Sequence, residues 1–206
     1  MADLQGVHVA CLVCEGFEWA ELDQPVRALR DAGAVVDVIS ERRGPVRGFE
    51  HHDPNGTVEA NLTFDEAQPS RYDALLLPGG ALNADLLRTI RQARAFAQAF
   101  DREGKPIAAI CHAPWVLASA GVVDGRTLTS YYTIADDLRN AGARWVDREV
   151  VVDRNLVTAR KPSDLPAFQR ALARLIGEHR VASAASARDA TDGEPVEPQP
   201  YHHSPS

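Results

Sequence analysis

The sequence predicts a single α/β domain built around a largely parallel central sheet. Short apolar runs of strand length alternate with longer runs of helical period, which is the pattern of repeated βαβ units. Glycine or proline separates most of these runs. With 206 residues, 45% of them hydrophobic, the chain can build one well-buried core. We expect this domain to span residues 1–180.

The first part of the chain is predicted to form one βαβ unit followed by an irregular excursion. Gly6–Cys14 reads as a strand, Glu18–Gly33 as a helix that ends at its glycine, and Ala34–Ser40 as a second strand. Residues 41–63 are interrupted by glycines, prolines and an Asn-Gly pair. They therefore predict short strands or hairpins outside the main sheet.

The β, α, β order repeats in the second part of the chain. Tyr72–Gly80 is predicted to be a strand that stops at Pro-Gly-Gly, Ala84–Glu103 a helix, and Ile107–Ile110 a buried strand. The elements predicted after these are a helix from Pro114, a short strand near Arg126–Ser130, a helix over Ile134–Gly142, a hairpin turning at Asp153–Asn155, and a last helix over Asp164–His179.

The C-terminal segment differs in composition from the rest. From Val181 onward it is small, polar and rich in proline, with little to bury. We therefore expect residues 181–206 to be a disordered tail.

Composition excludes several classes of function. The formal net charge of −7 gives no basic surface for nucleic acid or an anionic membrane. No apolar run of about 18 residues predicts a membrane helix, and the N-terminal residues lack the pattern of a secretory signal, so we expect a cytoplasmic protein. The three cysteines are an odd number and argue against a disulfide framework. A functional cysteine should therefore act as a thiol.

Polar and reactive side chains follow three of the predicted strands. The first strand ends at Cys14 and runs into Glu15 and Glu18, Pro-Gly-Gly ends the strand near residue 77, and Cys111 and His112 follow Ile107–Ile110. Ligands of open α/β sheets bind beyond the carboxyl ends of the strands. We therefore expect these groups to converge if their strands are neighbours.

Cys111 lies where an apolar strand gives way to a helix. A nucleophile on such a sharp turn needs small neighbours, and Ala109 and Ala113 meet that demand. The following helix would favour the thiolate, and the N–H groups of Gly80 and His112 could form an oxyanion hole. A buried, inert cysteine remains an alternative from the residues alone, because free cysteine often packs as a small hydrophobe.

Other candidate residues carry less chemistry. Cys11 and Cys14 lie three apart on one strand and so point to opposite faces; we expect Cys11 in the core and Cys14 near the site as a secondary thiol. The adjacent His51 and His52 have no partners at metal-ligand spacing, and no metal or nucleotide cofactor is predicted.

Several separated motifs resemble the DJ-1/PfpI superfamily, and within it the PfpI-like intracellular proteases and general stress proteins. They are GFEWAEL, LLLPGG, AICHAPW and the run from LTSYYTIADDLRNAG to ARKPSDLPAF, within about Val7 to Ile176. The resemblance implies a flavodoxin-like sandwich with a nucleophile elbow. It also implies that Cys111 is the nucleophile and His112 the base.

The same resemblance implies two acidic partners. Glu18 matches the family's glutamate that hydrogen-bonds the cysteine sulfur, which requires a protonated carboxyl because a carboxylate would repel a thiolate. Asp85 matches the acidic residue that relatives bring from an adjacent subunit to orient the histidine. A homodimer or higher homo-oligomer is therefore expected.

The expected function is that of a cofactor-independent, stress-protective cysteine hydrolase. The Cys111 thiolate would attack carbonyl groups in a deglycase, glyoxalase or peptidase reaction. The expected substrates are small carbonyl compounds, glycated proteins or peptides. The alternative is a redox-sensing stress protein that acts through oxidation of Cys111 without turnover.

Overall fold

A seven-stranded sheet runs through the centre of the protein in the computed structural model, which describes residues 3–191. The strands of the protein, in chain order, are β1 (His8–Leu12), β2 (Phe17–Glu18), β3 (Val35–Ser40), β4 (Gly44–Glu50), β5 (Asp53–Ala60), β6 (Leu62–Thr63), β7 (Ala74–Leu77), β8 (Ile107–Ile110), β9 (Thr127–Leu128), β10 (Arg144–Trp145), β11 (Val150–Asp153) and β12 (Leu156–Ala159).

The order of the central sheet is β11-β12-β8-β7-β1-β3-β6. Every neighbouring pair is parallel except β11 and β12, which form the predicted antiparallel hairpin. Parallel strands need crossover connections, and the helices supply them. The predicted α/β fold with a largely parallel sheet is therefore confirmed.

Helices cover both faces of this sheet. They are α1 (Trp19–Asp31), α2 (Ala81–Leu87), α3 (Arg91–Glu103), α4 (Pro114–Ser119), α5 (Ala135–Asn140) and α6 (Leu165–Thr191). One core cluster joins α1 and α6 to the sheet, and a second joins α3, α4 and α5 to its other face. Burial of β8 on both faces follows from this layering and explains its uninterrupted apolar sequence.

A small sheet of β2, β4 and β5 stands beside the main sheet. Strands β4 and β5 form an antiparallel hairpin that turns at His51 and His52, with a positive φ of 60° at His51. The excursion expected over residues 41–63 is therefore a hairpin as far as Ala60. Leu62–Thr63, however, form β6 and pair with β3 of the central sheet, so the expectation that the whole stretch lies outside that sheet is wrong. The turn of the hairpin is not at the Asn-Gly pair, which lies inside β5.

The helix predicted over Ala84–Glu103 is wrong, because two helices occupy this stretch. Helix α2 ends at Leu87 and α3 begins at Arg91. The hydroxyl of Thr89 donates a hydrogen bond of 2.7 Å to the Leu86 carbonyl oxygen. Such a local side-chain bond competes with continuation of the helix, and the β-branched Thr89 and Ile90 add little helix propensity.

The last helix is longer than predicted. It was expected to end at His179, with a disordered tail from Val181, whereas α6 continues to Thr191. Alanine dominates the added stretch and is the strongest helix former, which explains the extension. The rest of the predicted tail, residues 192–206, lies outside the described residues. Across residues 3–191, no helix, α6 included, is long and apolar enough to cross a membrane.

Candidate active site

The carboxyl ends of β1, β7 and β8 meet at one edge of the sheet because these three strands are neighbours. A cavity of about 660 Å³ opens there. Its walls include the residues that follow each strand, together with the tip of the β4–β5 hairpin and Lys161. The predicted convergence of the three strand ends is confirmed.

Cys111 occupies a strained turn at the floor of this cavity. Its φ is +62°, a region that non-glycine residues rarely adopt. Two backbone bonds hold it there: its N–H donates to the Ala159 oxygen at 3.0 Å, and its oxygen accepts from the Tyr131 N–H at 2.8 Å. Ala109 and Ala113 are completely buried on either side. The strand-to-helix elbow predicted at Cys111 is therefore present.

Backbone amides surround the Cys111 sulfur. The N–H groups of Gly80 and His112 both hydrogen-bond to it. Gly80 can direct its amide there because it has a φ of +94°, and a Cβ at this position would collide with the Gly16 carbonyl oxygen. The two residues predicted to form an oxyanion hole are thus brought together around one atom.

The carboxyl group beside this sulfur belongs to Glu21, so the assignment of that position to Glu18 is wrong. Glu18 immediately precedes α1, is half-buried and accepts a 3.0 Å hydrogen bond from the His51 N–H. It therefore ties the β4–β5 hairpin tip to the cavity wall. Glu21 lies three residues further along the chain, inside α1, where it is fully buried and interacts with the Cys111 thiol.

Glu21 is held by the loop that follows β7. Its Oε2 accepts a 3.1 Å bond from the Gly79 N–H, while its Oε1 is buried with no hydrogen-bond partner among residues 3–191. Burial, followed by the nearby Glu18 carboxylate, raises the pKa of Glu21 well above its ordinary range. This shift favours the protonated form of Glu21, which can donate a hydrogen bond.

The periodicity of α1 carries a signal for Glu21. The buried residues of this helix are Glu21, Leu22, Pro25, Val26 and Leu29. These positions form one face with spacings of one, three and four residues, as expected for an amphipathic helix. A carboxyl residue on the apolar face of a helix has to be neutral or paired, and that argument favours Glu21 over Glu18.

Burial opposes the thiolate that the helix after Cys111 is expected to favour. Burial is the largest influence on Cys111 and, with the adjacent Glu21, it raises the pKa of the thiol well above its ordinary value. The amides of Gly80 and His112 act in the opposite direction but do not outweigh burial. Helix α4 has only six residues and so contributes a weak dipole. A base beside the sulfur would therefore assist formation of a thiolate.

His112 is placed to serve as that base. Its Nδ1 lies 3.2 Å from the Cys111 sulfur, and its Nε2 lies 3.3 Å from the Thr133 hydroxyl oxygen. The Tyr131 ring stacks on the imidazole with 5.0 Å between ring centres, and Trp115 meets its edge at 5.6 Å. Burial lowers the pKa of His112 below 6.5, so the ring is neutral at pH 7.

Asp85 is not part of this arrangement within one chain. Its side chain is 59% exposed on α2 and forms an ion pair of 3.1 Å with Arg88. The Arg88 guanidinium in turn lies over the Trp115 ring, 5.2 Å from its centre. A direct contact of Asp85 with His112 would therefore require a second copy of the chain.

Asn83 is a buried polar residue that the sequence reasoning missed. Its side-chain oxygen accepts a 2.7 Å bond from the Cys14 N–H, and its amide nitrogen donates to the oxygens of Pro78 and Gly79 at 2.9 and 3.0 Å. It thereby joins the end of β1 to the loop that carries Gly80. Cys14 itself is buried, and burial raises the pKa of its thiol to about 12, which disfavours the thiolate.

The two histidines of the hairpin tip, His51 and His52, line the cavity. Over the described range 3–191, no three histidine, cysteine, aspartate or glutamate side chains come together as metal ligands. These histidines therefore form part of the cavity wall.

Known proteins are similar to this chain along most of its length. Deglycase PfpI of Pyrococcus furiosus is 44% identical over 170 residues, which cover 82% of this chain and 99% of the relative. General stress protein 18 of Bacillus subtilis is 40% identical over 166 residues, covering 80% and 95%. A crystal structure of a two-domain Anabaena variabilis protein with DJ-1/ThiJ/PfpI-like and ferritin-like domains matches with a TM-score of 0.79 and 34% identity, over 83% of this chain and 48% of that one.

The fold of this chain is the flavodoxin-like sandwich of these neighbours, as the resemblance implied. The model of the DJ-1/PfpI family matches residues 7–175, which include every residue of the site described above. The chain therefore belongs to the DJ-1/PfpI family.

Proposed function

We propose that this protein is a cofactor-independent cysteine hydrolase of the deglycase type, in which Cys111 attacks the carbonyl carbon of a glycated substrate. One observation carries the proposal: the sulfur on a strained elbow has an imidazole nitrogen at 3.2 Å and two backbone N–H groups directed at it. Nucleophile, base and oxyanion donors are the parts that acyl transfer requires.

In the first step, His112 Nδ1 removes the thiol proton of Cys111 as the sulfur bonds to the carbonyl carbon. The π electrons of the carbonyl move to its oxygen, which becomes an oxyanion. The N–H groups of Gly80 and His112 stabilise this oxyanion, and the neutral Glu21 carboxyl donates a hydrogen bond near the sulfur.

The aldehyde carbonyl attacked in the first step forms when the carbon–nitrogen bond of the carbinolamine adduct breaks and its hydroxyl proton passes to the departing nitrogen. After the attack, the imidazolium of His112 returns its proton to the oxyanion and gives a hemithioacetal. A proton then moves, through an enediol, from the carbon that bears sulfur to the neighbouring ketone carbon, which converts the hemithioacetal into a thioester. Water, deprotonated by the same imidazole, cleaves the thioester, releases a 2-hydroxy acid and restores the Cys111 thiol. The sequence of steps consumes one water and involves no oxidant.

Labile carbonyl adducts fit this site better than ordinary peptide bonds. Peptide hydrolysis expels a poor amine leaving group and so needs a strongly supported general acid, whereas the Asp85 carboxylate is paired with Arg88 in the single chain. The cavity of about 660 Å³ has room for a modified side chain and not only for a three-carbon aldehyde. Deglycase PfpI, the relative compared above, carries that activity in its name.

A panel of substrates tests the proposed class. Purified protein and its Cys111→Ser variant would be given free methylglyoxal, N-acetylarginine modified by methylglyoxal, and a fluorogenic peptide. We expect the wild type to release N-acetylarginine faster than it consumes methylglyoxal or cleaves the peptide. The Cys111→Ser variant should turn over none of the three substrates. Turnover confined to the peptide would replace the deglycase by a peptidase.

A redox role of the same cysteine is the second candidate, and the unpartnered Oε1 of Glu21 favours it. An oxygen added to the Cys111 sulfur could accept a hydrogen bond from the neutral Glu21 carboxyl, which would stabilise a sulfinic acid. General stress protein 18 is a relative named for stress. Stoichiometric oxidation of Cys111 in dilute peroxide, measured by mass spectrometry in a protein without turnover, would support this role over the hydrolase.

A further inference from the structure

The cavity beside Cys111 contains an ammonium group that the chemistry described so far does not use. Lys161 lines this cavity and is the only lysine or arginine among the described residues that do so. Its side chain is exposed, and its ammonium forms no ion pair with any of residues 3–191. A free cation is therefore available to a molecule that enters the cavity.

We propose that Lys161 selects substrates whose carbonyl part carries a carboxylate, and that it binds this carboxylate while Cys111 attacks the aldehyde carbon. The inference rests on the proposed hydrolase function and names its substrate class. The preferred substrates are 2-oxoaldehydes with a carboxylate on the far side of the ketone, either free or as adducts of amines and guanidines.

The distance from Lys161 to the elbow follows from the register of two strands. Ala159 at the end of β12 pairs with Ile110 at the end of β8, and the Cys111 N–H donates to the Ala159 oxygen at 3.0 Å. Neighbouring strands lie about 4.8 Å apart. Lys161 follows Ala159 by two residues, so its long, flexible stem begins next to the elbow and can bring the ammonium to a substrate there.

The backbone around Lys161 is held in place. The preceding Arg160 guanidinium forms ion pairs with Asp164 at 2.9 Å and Asp147 at 2.8 Å. The Lys161 oxygen accepts a 2.9 Å bond from the Asp164 N–H, and the ring of Pro162 restricts the chain that follows. Two carboxylates thus already neutralise Arg160, and only the Lys161 charge is left to act on a substrate.

The cavity wall on the other side of the elbow carries a negative charge. In the sheet, β12 lies on one side of β8, whereas β7 and β1 lie on the other. Glu18 belongs to this second side, where its N–H donates to the Gly79 oxygen at 3.2 Å, and its carboxylate lines the cavity. A substrate anion is therefore attracted toward Lys161 and repelled from Glu18. One cation facing a carboxylate fits a single negative charge, which favours a carboxylate over a phosphate dianion.

Three variants separate the charge of Lys161 from its other properties. Lys161→Met keeps most of the length of the side chain but removes the charge, and Lys161→Arg keeps the charge. Lys105→Met is the matched control, because Lys105 is the other lysine of the chain and its ammonium pairs with Glu103 at 2.7 Å. Circular dichroism and thermal unfolding would establish that all three variants are folded.

Kinetics with a matched pair of substrates provide the first readout. The pair is 4,5-dioxopentanoate and its neutral methyl ester, each offered as its adduct with N-acetylargininamide, and mass spectrometry quantifies the 2-hydroxy acid that forms. We expect wild-type kcat/KM to be about threefold to fivefold higher for the acid, mainly through a lower KM. Lys161→Met should lose this preference, and high salt should weaken it. Lys161→Arg and Lys105→Met should keep it.

Alkylation of Cys111 provides a second readout that needs no turnover. Iodoacetate and iodoacetamide are similar in size, and each transfers its methylene carbon to the sulfur as iodide leaves, but only iodoacetate carries a negative charge. The ratio of their rate constants at Cys111, measured by mass spectrometry, should be about threefold lower in Lys161→Met than in the wild type. Lys105→Met should have the wild-type ratio.

Two results would overturn the proposal. One is an acid-to-ester ratio of kcat/KM that is the same in Lys161→Met as in the wild type. The other is an equal fall of that ratio in Lys105→Met, since such a fall would reflect net charge and not the cavity. If the wild type turns over neither adduct, the proposed hydrolase fails, and the alkylation ratios decide the role of Lys161 by the same two comparisons.

Discussion

Glu21 is the residue on which the chemistry of the sulfur depends most. It is completely buried, it interacts with the Cys111 thiol, and its raised pKa favours the neutral carboxyl. Glu21→Gln removes the acidic proton with little change of shape, so we expect kcat/KM to fall by about tenfold or more. Glu18→Gln is the matched control, and steady-state kinetics should show a smaller effect because Glu18 bonds to the hairpin backbone. Equal losses in the two variants would contradict this division of roles.

The same residue makes stability depend on pH in a defined direction. The folded state keeps Glu21 protonated above its ordinary pKa of 4.5, whereas the unfolded chain releases that proton. The folded state then binds more protons, so the contribution of Glu21 is full below pH 4.5 and is lost as pH rises from there toward its raised value. Urea unfolding at pH 4 to 8 should therefore show Glu21→Gln gaining free energy of unfolding relative to the wild type as pH rises. A difference that does not vary with pH would mean that Glu21 is ionised in the folded protein.

The residues of the site were predictable where local sequence determines their geometry. Cys111, His112 and Gly80 follow strand ends with small neighbours, and the elbow needs little else. The choice between Glu18 and Glu21 depends on where α1 begins and which face it buries. Alignment of a short motif cannot decide which of the two glutamates lies beside the sulfur, because they are less than one helical turn apart. Thr133 carries no motif, and only the folded chain brings it to His112.

Asn83 connects two elements of the site, the end of β1 and the loop after β7. Asn83→Ala would leave one buried N–H and two carbonyl oxygens without their partner. We expect a loss of about 3 kcal/mol in the free energy of unfolding, measured in urea. Asn140→Ala, which changes an exposed asparagine at the end of α5, should cost under about 1 kcal/mol. Similar losses in both variants would refute the connecting role of Asn83.

The loop after β7 has no room for a side chain. A Cβ at position 79 would collide with the Glu21 carboxyl and lie 2.6 Å from the Cβ of Cys111. Gly79→Ala should therefore displace Glu21 and reduce kcat/KM by at least about tenfold. Gly104→Ala, at the end of α3, is the control, because an added Cβ there meets open space although φ is positive. This variant should be less stable but should keep the wild-type kcat/KM.

A wild-type kcat/KM in Gly79→Ala would show that turnover does not require the close packing at Gly79.

Elements were predicted best where a hydrophobic period is long and clearly bounded. The strands β1, β3, β7 and β8 follow from their apolar runs. The break between α2 and α3 coincides with a side-chain hydrogen bond of Thr89, which no periodicity reveals. The extension of α6 shows the opposite case, in which alanine-rich composition favours a helix although it offers little to bury.

At the scale of the whole molecule, the strand order explains why the site lies where it does. The adjacent strands β8, β7 and β1 bring together site residues from three distant parts of the chain. The sequence predicts this convergence only if the strand order is assumed. The oligomer expected from the family resemblance is a separate proposal. Leu82 and Leu86 on α2 are 51% and 38% exposed beside Asp85, so this surface is a candidate contact between copies.

Sedimentation would test that contact. We expect a mass of at least twice the 22.4 kDa of one chain, and a shift toward the monomer in Leu86→Glu, because a charge there opposes burial. Val152→Glu is the control, since Val152 is similarly exposed, at 40%, but lies on the edge strand β11. A wild-type protein that sediments as a monomer would remove any route by which Asp85 of one copy reaches His112 of another.

The central claim is that Cys111 is the nucleophile of a carbonyl hydrolase, and replacement of single cysteines tests it most directly. The measurement is the rate at which wild type, Cys111→Ala and Cys11→Ala release N-acetylarginine from its methylglyoxal adduct. Cys11 is a fully buried thiol on β1, and burial raises its pKa to about 12. The account predicts complete loss of turnover in Cys111→Ala and near wild-type turnover in Cys11→Ala. Turnover that survives in Cys111→Ala would contradict it.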